Sequence, residues 1–480
     1  MSGMNSQGKQ AGFRLALISS LLALALLLPA TAWASSYTVK VPPPNGADDT
    51  ANIQAALDAC VAQGPGCTLQ LAAGTYLTRQ LVAYNFQGAF KGMGRDITRI
   101  EALPYLYVNF KQEDIEGLCP PDPTSCFWPT VIIFVNGNVH VSDLSVAVTA
   151  APGTATTSWN FGGTPYIGLL DGMTFTGQHV TAAIDRIHME GRLDPTNAYG
   201  YNVVNLLHFT GEFPRSLTPW DWYFVSGSFT VRNSCFNTGF VGISQDGFFK
   251  SSQVTIGGSP SSGNRIENGY GGIDLETSEN SVFDISYNES SGSNAGMWVV
   301  PWFLAVFVPS SSSQYWIHDN KFVGNGGVYN DGMYLSDDPS KPWIEAWVWD
   351  NKVEVQAPLM EGIGVYNTKR TAVWNNTVTG TDGFDAIGLW SSALSSVVGN
   401  NVSGFTVDPT GYAQIYLDPS TARDLVVCAE PSDTALNQGT DNVVIGCQQP
   451  AATSDAAAKS AAPAASTSKR DVPKRKPWLR

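Results

Sequence analysis

Gly272-Ile273-Asp274-Leu275 and Gly362-Ile363-Gly364-Val365 are two copies of a phrase that recurs through the second half of the chain. In each copy a small residue precedes an apolar residue, an outward residue and a second apolar residue. The apolar anchors are 30, 24, 36, 30 and 24 residues apart. They are Ile243, Ile273, Met297, Met333, Ile363 and Ile387. Repeats of this period indicate stacked structural units.

A second phrase runs in step with the first and ends in asparagine. Its copies are Ile285…Asn288, Ile317…Asn320, Val348…Asn351, Val373…Asn376 and Val398…Asn401. The asparagines are 32, 31, 25 and 25 residues apart. We predict that they lie at a repeated turn, because Asn tolerates left-handed geometry and can hydrogen-bond between stacked units.

Several segments resemble a known superfamily. DDTANIQAALDAC (48–60), TLQLAAGTYL (68–77), FKGMG (90–94) and TRI (98–100) resemble the opening of the pectate-lyase-like superfamily, in its rhamnogalacturonase/epimerase-type branch. VTIGG…GNRI (254–266) is similar to a coil of these proteins. The resemblance covers residues 40–447 approximately. It implies an all-β fold, a single-stranded right-handed parallel β-helix, with an N-terminal capping helix.

The physical pattern agrees with this fold. Each coil would hold about three short strands, and each strand would pair with its copy in the next coil about 4.8 Å away. Charged residues make up only 14% of the chain and Gly numbers 47, as expected for a turn-rich all-β protein. A helix is predicted at about 50–60, capped by Asp49 or Thr50, with Ile53 and Leu57 on its buried face.

Residues 1–34 are expected to be a secretory signal peptide. An apolar run from Leu15 to Leu28 follows basic residues, and Ala32-Trp33-Ala34 supplies small residues for cleavage. The alternative is a membrane anchor, which the break at Pro29 disfavours. The protein is therefore expected to be secreted, periplasmic or on the cell surface, and not membrane-spanning once the signal is removed.

The rest of the chain divides into a body and a tail. Residues 35–447 are expected to form the β-helix, with extruded loops at 105–130, 152–165, 301–314 and 336–345. Residues 448–480 are rich in Ala, Ser and Lys and are expected to be a disordered basic tail. The tail is expected either to bind an anionic envelope polymer or to serve as a solubilising terminus.

Charge and cysteine usage limit the partners. The net charge of −14 comprises +2 in residues 1–34, +5 in 451–480 and therefore −21 in the body, which argues against a nucleic-acid partner. Three locally spaced pairs are predicted to form disulfide bonds: Cys60/Cys67, Cys119/Cys126 and Cys428/Cys447. Cys235 is left over and is interpreted as a small core residue. The Cys and His spacings predict no metal site.

Alternation along the strands predicts which residues point outward. The first outward column is Ser244, Asp274, Trp298, Tyr334, Gly364 and Gly388, and the second is Asp246, Glu276, Val300, Ser336, Tyr366 and Trp390. Carboxylates and aromatic rings together suit sugar binding. We therefore predict that the aromatic members Trp298, Tyr334, Tyr366 and Trp390 bind substrate.

Three acids of these columns are candidate catalysts. Asp246 and Glu276 occupy one column in successive coils, and Asp274 lies two residues before Glu276. Strand geometry would place them about 5–7 Å apart, near the separation of paired glycosidase carboxylates. The alternative is an acidic, solvated surface.

The resemblance to known enzymes leaves the chemistry open. Polygalacturonase-like hydrolases, which resemble this fold, carry Asn-Thr-Asp, Asp-Asp and Gly-His-Gly on successive coils. Here Gln245-Asp246-Gly247 partly matches the first motif, whereas Gly271-Gly272 and Ala295-Gly296-Met297 replace the others. Only Asp246 can be carried over. Pectate lyases use acid-held Ca²⁺ and a basic residue, so no cofactor is predicted unless the protein is a lyase, in which case Ca²⁺ is expected.

A separate face is rich in tryptophan. Trp316, His318, Trp347, Trp349 and Trp374 have a parity opposite to that of the inward residues, so they should point outward. Exposed Trp clusters usually mark binding surfaces, and Trp347, Trp349 and Trp374 are predicted to bind substrate or partner. The alternative is that a loop or the tail covers them.

Two functions therefore remain. The first is a secreted polysaccharide-active enzyme that cleaves a glycosidic bond, as a hydrolase or a lyase, on an outer face of the β-helix. The second is a non-catalytic surface or adhesion protein that binds glycan through its aromatic face.

Overall fold

The structure, a computed structural model, is a right-handed parallel β-helix built from three ladders of strands. It describes residues 37–103, 130–148, 158–161, 164–167, 169–177, 180–194, 200–210, 226–246, 249–275, 278–293, 295–299, 313–324, 327–331, 345–356, 361–366, 368–381, 385–405 and 413–449. Each coil passes through ladders 1, 2 and 3 in turn, and every strand pairs in parallel with its copy in the next coil. The predicted fold class is confirmed.

Ladders 1 and 2 belong to one large sheet. Ladder 1 contains β1 (Tyr37–Lys40), β2 (Cys67–Gln70), β5 (Gln87–Lys91), β8 (Asn138–Ala147), β12 (Val180–Glu190), β14 (Gly227–Arg232), β18 (Gln253–Gly257), β22 (Val282–Ser286), β25 (Gln314–His318), β28 (Glu345–Trp349), β31 (Ala372–Trp374), β34 (Ser396–Val398), β37 (Leu425–Val427) and β39 (Val443–Ile445). Ladder 2 contains β3 (Gly74–Thr78), β6 (Thr98–Ala102), the second halves of β8 and β12, β15 (Cys235–Asn237), β19 (Arg265–Glu267), β23 (Glu289–Ser293), β26 (Lys321–Gly324), β29 (Lys352–Val355), β32 (Thr377–Gly380) and β35 (Asn401–Ser403).

Ladder 3 forms a sheet of its own. It contains β4 (Leu81–Tyr84), β7 (Thr130–Val135), β11 (Leu169–Thr176), β13 (Val203–Thr210), β16 (Val241–Asp246), β20 (Gly271–Leu275), β24 (Ala295–Val299), β27 (Val328–Asp331), β30 (Ile363–Tyr366), β33 (Ile387–Trp390), β36 (Ile415–Leu417) and β38 (Ala435–Asn437). A short parallel pair, β17 (Phe249–Lys250) and β21 (Ser278–Glu279), and an antiparallel hairpin, β9 (Ser158–Phe161) and β10 (Thr164–Ile167), lie outside the ladders. The hairpin covers part of the segment 152–165 that was expected to be a loop.

The interior is filled by residues that alternate along the strands. The anchors Ile243, Ile273, Met297, Ile363 and Ile387 are fully buried, as predicted. In the early coils Phe134, Phe175, Phe209, Phe229 and Phe249 stack inside, with successive ring centroids 5.2, 5.7, 4.9 and 5.1 Å apart. This apolar core fixes which residues of each strand face outward.

A column of buried asparagines joins the coils at the turn between ladders 1 and 2. Its members are Asn264, Asn288, Asn320, Asn351, Asn376 and Asn400. From Asn288 onward each Oδ1 accepts both the side-chain and backbone N–H of the Asn one coil earlier, as Asn376 does from Asn351 at 2.9 and 3.0 Å. Each Nδ2 also donates to a strand carbonyl of the preceding coil, such as Val348 for Asn376 at 2.9 Å. The predicted hydrogen bonding between coils is confirmed.

From Asn288 onward the predicted left-handed geometry belongs to the residue before each Asn of the column. Asp319, Asp350 and Asn375 have φ of 54, 53 and 54°. The residues of the column instead have side chains aimed into the turn, where the buried backbone groups need partners. The hydrogen bonding of the Asn side chains was predicted correctly, but the residue with positive φ is the one before the Asn and not the Asn itself.

Two register assignments were wrong. In ladder 3 the partner of Met297 and of Ile363 is Val328, not Met333, so the 36- and 30-residue spacings become 31 and 35. In ladder 1 the buried partner of Val373 is Val397, and Val398 is 37% exposed. The last member of the Asn column is accordingly Asn400, while Asn401 is exposed. At both places two similar sequence segments lie next to each other, and only the burial of their apolar residues shows which segment belongs to the ladder.

The helix α1 (Thr50–Gln63) packs against β2 and β4 at the N-terminal end of the ladders. Ile53, Ala56, Leu57 and Cys60 form its buried face. Asp49 is the N-cap residue, as predicted, but its side chain makes no capping hydrogen bond, and the Thr50 N–H donates to Asp48 at 3.0 Å.

Two of the predicted disulfide bonds are present. Cys60–Cys67 joins α1 to β2, and Cys428–Cys447 joins the last two coils. Cys119 and Cys126 lie outside the described residues, as do the expected signal peptide and the tail from 450 onward. Cys235 is a free thiol and is half-buried on the outer side of ladder 2, so its interpretation as a core residue is wrong.

Asn376→Ala should lower the free energy of unfolding by about 3 kcal/mol, because it leaves the buried Asn351 N–H and Val348 carbonyl without partners. Asn401→Ala is the matched control, since this exposed residue lies outside the column; its effect should stay within about 0.5 kcal/mol. Denaturant unfolding followed by circular dichroism measures both. Equal losses for the two variants would contradict the role of the column.

Candidate active site on the outer face of ladder 3

The outward residues of ladder 3 form a continuous row across the coils, the outer row. Its members in register are Thr174, His208, Ser244, Asp274, Trp298, Tyr329, Gly364, Gly388 and Tyr416. His208 points outward because its neighbours Leu207 and Phe209 are both buried in the core. The same argument places Ser244 and Asp274 outward.

A buried aspartate–histidine pair lies at the N-terminal end of this row. Asp171 Oδ2 is 2.8 Å from His208 Nδ1, and the two side chains are 0% and 1% exposed. Asn205 Nδ2 donates to Asp171 Oδ1 at 2.9 Å, and Thr174 Oγ1 donates to Oδ2 at 2.7 Å. Three polar side chains therefore converge on one carboxylate.

The backbone of β11 makes this convergence possible. Asp171 and Thr174 are three residues apart yet share a hydrogen bond, so the strand departs from simple alternation between them. A Cβ on the intervening Gly172 would lie 2.7 Å from the Leu206 carbonyl oxygen and 2.8 Å from Met189 Cε. Only glycine permits this approach.

This pair is suited to proton transfer. A carboxylate only accepts hydrogen bonds, so His208 Nδ1 must donate to Asp171. Nε2 is then the nitrogen that can accept or deliver a proton, while Asp171 fixes the tautomer and the ring orientation. The next residue in the outer row is Ser244, whose buried Oγ makes no hydrogen bond within the described structure.

The predicted acid cluster is only partly described. Asp274 lies in the outer row two strands from His208, about 9–10 Å by strand spacing, and is 2% exposed. Asp246 ends β16 in register with Thr210, as alternation predicts, but its side chain is not described. Glu276 lies outside the described residues. The proximity of the three carboxylates therefore stays a prediction.

The C-terminal end of the face is aromatic. Tyr366 and Trp390, both predicted to bind substrate, are half-buried with ring planes 10° apart and centroids 6.3 Å apart. Glu361, which was not predicted, accepts hydrogen bonds from the Tyr366 hydroxyl and, at 2.9 Å, from Trp390 Nε1. Gly364 and Gly388 occupy the outer row here, so no side chain rises from those positions. The carboxylate thus orients both rings, and Trp390 Nε1 lies over Gly388, where an added Cβ would be only 2.7 Å from it.

The remaining aromatic predictions were affected by the register error. Trp298 is in register with Asp274, as predicted, but its side chain is not described. Tyr334 lies outside the described residues, and the row position expected for it is occupied by Tyr329. The row position assigned to Tyr334 was therefore wrong, while its binding of substrate stays a prediction.

A stack of three aromatic rings at the start of ladder-3 strands was not predicted. Phe240 lies between Tyr201 and Tyr270, with ring centroids 6.1 and 4.7 Å apart. Burial, aided by the Tyr270 side chain, raises the pKa of Tyr201. Each ring follows a glycine, at 39- and 30-residue spacings, and this repeat was the available signal.

The Asp171–His208 pair was also missed. Met173 and Leu207 continue the anchor column upstream of Ile243 at spacings of 34 and 36 residues. Extending the repeat in this direction would have placed His208 in the outer row. Asp171 would still have been missed, because β11 departs from alternation next to it.

The tryptophan face lies on the outer side of ladder 1, as predicted. His318, Trp349 and Trp374 stack in register, with centroids 4.2 and 5.0 Å apart and planes 13° and 4° apart. Stacked in this way, the rings cover one another's faces. Trp316 and Trp347 are adjacent in the next column, and Trp316 is 40% exposed.

His318 is held between two carboxylates. Its Nδ1 is 2.8 Å from Asp319 and its Nε2 is 3.3 Å from Asp284. Burial alone would lower its pKa, but the hydrogen bonds to Asp284 and Asp319 outweigh burial and raise the pKa above its ordinary value. The hydrogen bond from His318 lowers the pKa of Asp284 against the opposing effect of burial.

The described residues offer no metal cluster and no membrane span. Among them no three His, Cys, Asp or Glu side chains are grouped so as to hold a metal ion, and the Ca²⁺ expected of a lyase stays untested. The same part of the chain contains no helix with the length and hydropathy needed for a bilayer span.

No protein-family model and no curated protein matches the chain. Similar solved structures include the A-module of the Azotobacter vinelandii mannuronan C-5 epimerase AlgE6, at 12% identity over 84% of this chain and 96% of that chain, with a TM-score of 0.49. Others are the Dettilon tailspike protein, at 14% identity, 82% and 69% coverage and TM-score 0.48, and DFA-IIIase from Arthrobacter chlorophenolicus A6 without its lid, at 13%, 82%, 94% and 0.48.

At these identities the likeness concerns the fold alone. The parallel β-helix is established by the three ladders themselves, and the resemblance to the pectate-lyase-like superfamily stays an expectation.

The stability that His318 provides should depend on pH. Because its pKa is raised above 6.5, this contribution is complete below pH 6.5 and is lost as the pH rises through the raised pKa. The contribution of Asp284 is present above pH 3.8 and is lost as the pH falls through its lowered pKa. The melting-temperature gap between the wild type and His318→Gln should therefore be largest between pH 3.8 and 6.5. A gap that does not change up to alkaline pH, or an equal gap for the exposed His140→Gln, would contradict this.

Proposed function

We propose that the protein is an exported polysaccharide-active enzyme whose catalytic centre is the outer row of ladder 3, with His208 as the proton-transfer residue. The observation that carries the proposal is the buried Asp171–His208 pair on the outward face. This polar network lies outside the apolar core and joins β11 to β13 through Asp171, Asn205 and His208. Export is supported by residues 1–34 and by two disulfide bonds, which persist in oxidising compartments.

The described geometry supports proton abstraction by His208, whereas the two-carboxylate route depends on Asp246 and Glu276, whose side chains are not described. Glycosidases place paired carboxyl groups about 5–9.5 Å apart. Asp171 and Asp274 are three ladder-3 strands apart, about 14 Å by strand spacing. A base such as His208 Nε2 can instead remove the proton next to the carboxyl group of a uronic acid. The electron pair then forms a C=C bond as the glycosidic C–O bond breaks, and the leaving oxygen takes up a proton.

The aromatic end of the face supports a polymeric substrate. Trp390 lies six ladder-3 strands from His208, about 29 Å along the helix axis, which is long enough for several sugar rings. Tyr366 and Trp390 provide apolar ring surface for stacking on a pyranose. A chain that lies along the outer row would contact the base and the rings together.

His208→Gln should reduce product formation by about 10²- to 10⁴-fold, because the amide cannot transfer the proton. Asp171→Asn should also reduce it, since the ring loses the carboxylate that orients it. The mature chain is incubated with a panel of polysaccharides, and reducing ends, ultraviolet absorbance and uptake of solvent deuterium are measured. The exposed His140→Gln is the matched control and should retain full activity. Full activity in His208→Gln with an unchanged melting temperature would remove His208 from the site.

The same assay tests the predicted carboxylate cluster. Asp246→Asn or Glu276→Gln should abolish the release of reducing ends if these acids cleave by hydrolysis, and no unsaturated product should then form. New ultraviolet absorbance lost in His208→Gln would instead identify a lyase. Absence of every product, and of deuterium uptake, across the panel would contradict an enzyme.

The second candidate function is non-catalytic glycan binding by the tryptophan face. The observation that favours it is Trp316, 40% exposed and in register with Trp347 on the outer side of ladder 1. The His318–Trp349–Trp374 stack is less suitable because its rings cover each other's faces. Binding would then occur without any product.

Trp347→Ala should weaken retention on immobilised polysaccharide about tenfold, because stacking on an aromatic ring is lost. Val398→Ala, on the same outer face and 37% exposed, is the control and should leave retention unchanged. Affinity electrophoresis with the same polysaccharide panel measures both. Equal retention of wild type and Trp347→Ala would exclude this face as the binding surface.

A further inference from the structure

A saddle-shaped cavity lies at the turn between ladders 1 and 2 in the early coils. Two six-residue loops, 92–97 and 258–263, rise on either side of three coils whose turns are much shorter. The short turns centre on Asp143, Arg186 and Asn233, each in left-handed geometry at φ 58, 52 and 51°. The cavity between the loops has a volume of about 950 Å³, within the range of small-molecule sites.

The floor of the saddle is a column of ladder 2. His188, Cys235 and Arg265 follow one another in register on successive coils. Arg95 reaches the cavity from the first loop, and Arg186 lies at the adjacent turn. Three guanidinium groups and an imidazole therefore line one cavity of a body whose net charge is −21.

Most acids around the saddle form ion pairs, and two arginines are each shared between two acids: Arg99 between Glu101 and Glu190, and Arg186 between Asp143 and Asp185. Asp143 makes a bidentate ion pair with Arg186 at 2.7 and 3.0 Å. Glu190 pairs with Arg99 at 2.6 Å, and Glu267 pairs with Arg265 at 2.6 Å. Arg95 and Arg265, by contrast, each pair with a single carboxylate among the ion pairs of the described residues.

Several hydrogen-bond donors that line the saddle are less fully occupied by neighbouring carboxylates. The Arg95 guanidinium is 48% exposed, and its nearest carboxylate, on the highly exposed Asp96, is 4.0 Å away. His188 Nε2 is buried, makes no hydrogen bond, and lies 3.5 Å from Glu190. Arg265 contacts Glu267 through one nitrogen only among the ion pairs described. Arginine donors in a fixed fork match the oxygens of an oxyanion.

Cys235 leaves the floor neutral. Burial, with a smaller contribution from Glu267, raises the pKa of its thiol, although Arg265 and Arg95 both act in the opposite direction. The thiol is therefore protonated at neutral pH and does not repel an anion. Arg265 is in register with Cys235 on the next coil, and Arg95 lines the same cavity from the first loop.

We propose that this saddle binds an oxyanion, a carboxylate, sulfate or phosphate, between Arg95 and Arg265 and above Cys235. The oxyanion is either a free inorganic ion or a substituent of an acidic saccharide. The saddle lies at the turn between ladders 1 and 2, so the site is separate from the outer row of ladder 3. It does not depend on the function proposed for that row.

Isothermal titration of the mature full-length chain tests this with three probes: inorganic phosphate, trigalacturonate and the neutral maltotriose. Phosphate or trigalacturonate should bind, and maltotriose should not. Arg95→Ala and Arg265→Ala should each weaken that binding about tenfold or more, and Arg95→Lys should restore part of it. Arg370→Ala is the matched control, because this exposed arginine pairs with Glu345 on ladder 1 and should leave binding unchanged.

The free thiol locates the ligand. A saturating bound probe should slow the modification of Cys235 by a maleimide, and this protection should disappear in Arg95→Ala. Binding of trigalacturonate alone identifies an acidic saccharide, whereas equal binding of phosphate identifies the oxyanion group itself. The proposal is overturned if neither anion binds, or if binding survives both arginine substitutions and leaves Cys235 unprotected. Turnover by His208 is measured in parallel and should not change in the arginine variants.

Discussion

The hydrogen bonds between coils are the constraint on which the rest of this structure depends. Each strand leaves its amide and carbonyl groups unpaired unless the next coil presents a copy about 4.8 Å away. The turns between ladders 1 and 2 meet the same requirement through the Asn column, where one side chain such as Asn376 contacts both the preceding and the following coil. Once the coils are fixed in this way, the outward residues of adjacent coils lie in register with one another.

Because adjacent coils share one register, functional side chains form rows along the β-helix. A residue type placed outward in one strand lies beside the equivalent residues of the adjacent coils, so acids, imidazoles and rings accumulate along a face. On ladder 3 the row changes from polar at His208 to glycine and aromatic around Trp390. The ladder 1 face carries tryptophans, and the turn between ladders 1 and 2 carries arginines. One solenoid thus presents three chemically distinct surfaces.

The sequence was sufficient for the fold and for much of the outward pattern, because burial in a repeated coil leaves a strong periodic signal. It failed where two similar phrases were adjacent, as with Val328 and Met333, since either phrase could supply the apolar anchor. It also failed at Asp171, because the departure from alternation beside Gly172 depends on a close approach to the neighbouring strand. Contacts between coils of unequal length cannot be derived from spacing alone.

The spacing of the coils also decides which aromatic rows can bind sugars. Rings in register on adjacent strands are about one strand spacing apart, and His318, Trp349 and Trp374 accordingly stack at 4.2 and 5.0 Å. In such a row each ring face packs against the next ring, so mainly the ring edges remain for a ligand to contact. Tyr366 and Trp390 are 6.3 Å apart because Glu361 holds both rings by their polar ends. The Tyr366 and Trp390 rings are thus more widely spaced than those of the tryptophan face, although Trp390 also packs against Tyr416 with ring centroids 4.6 Å apart. A count of exposed aromatic residues is therefore a weaker guide to a glycan site than the separation of the rings.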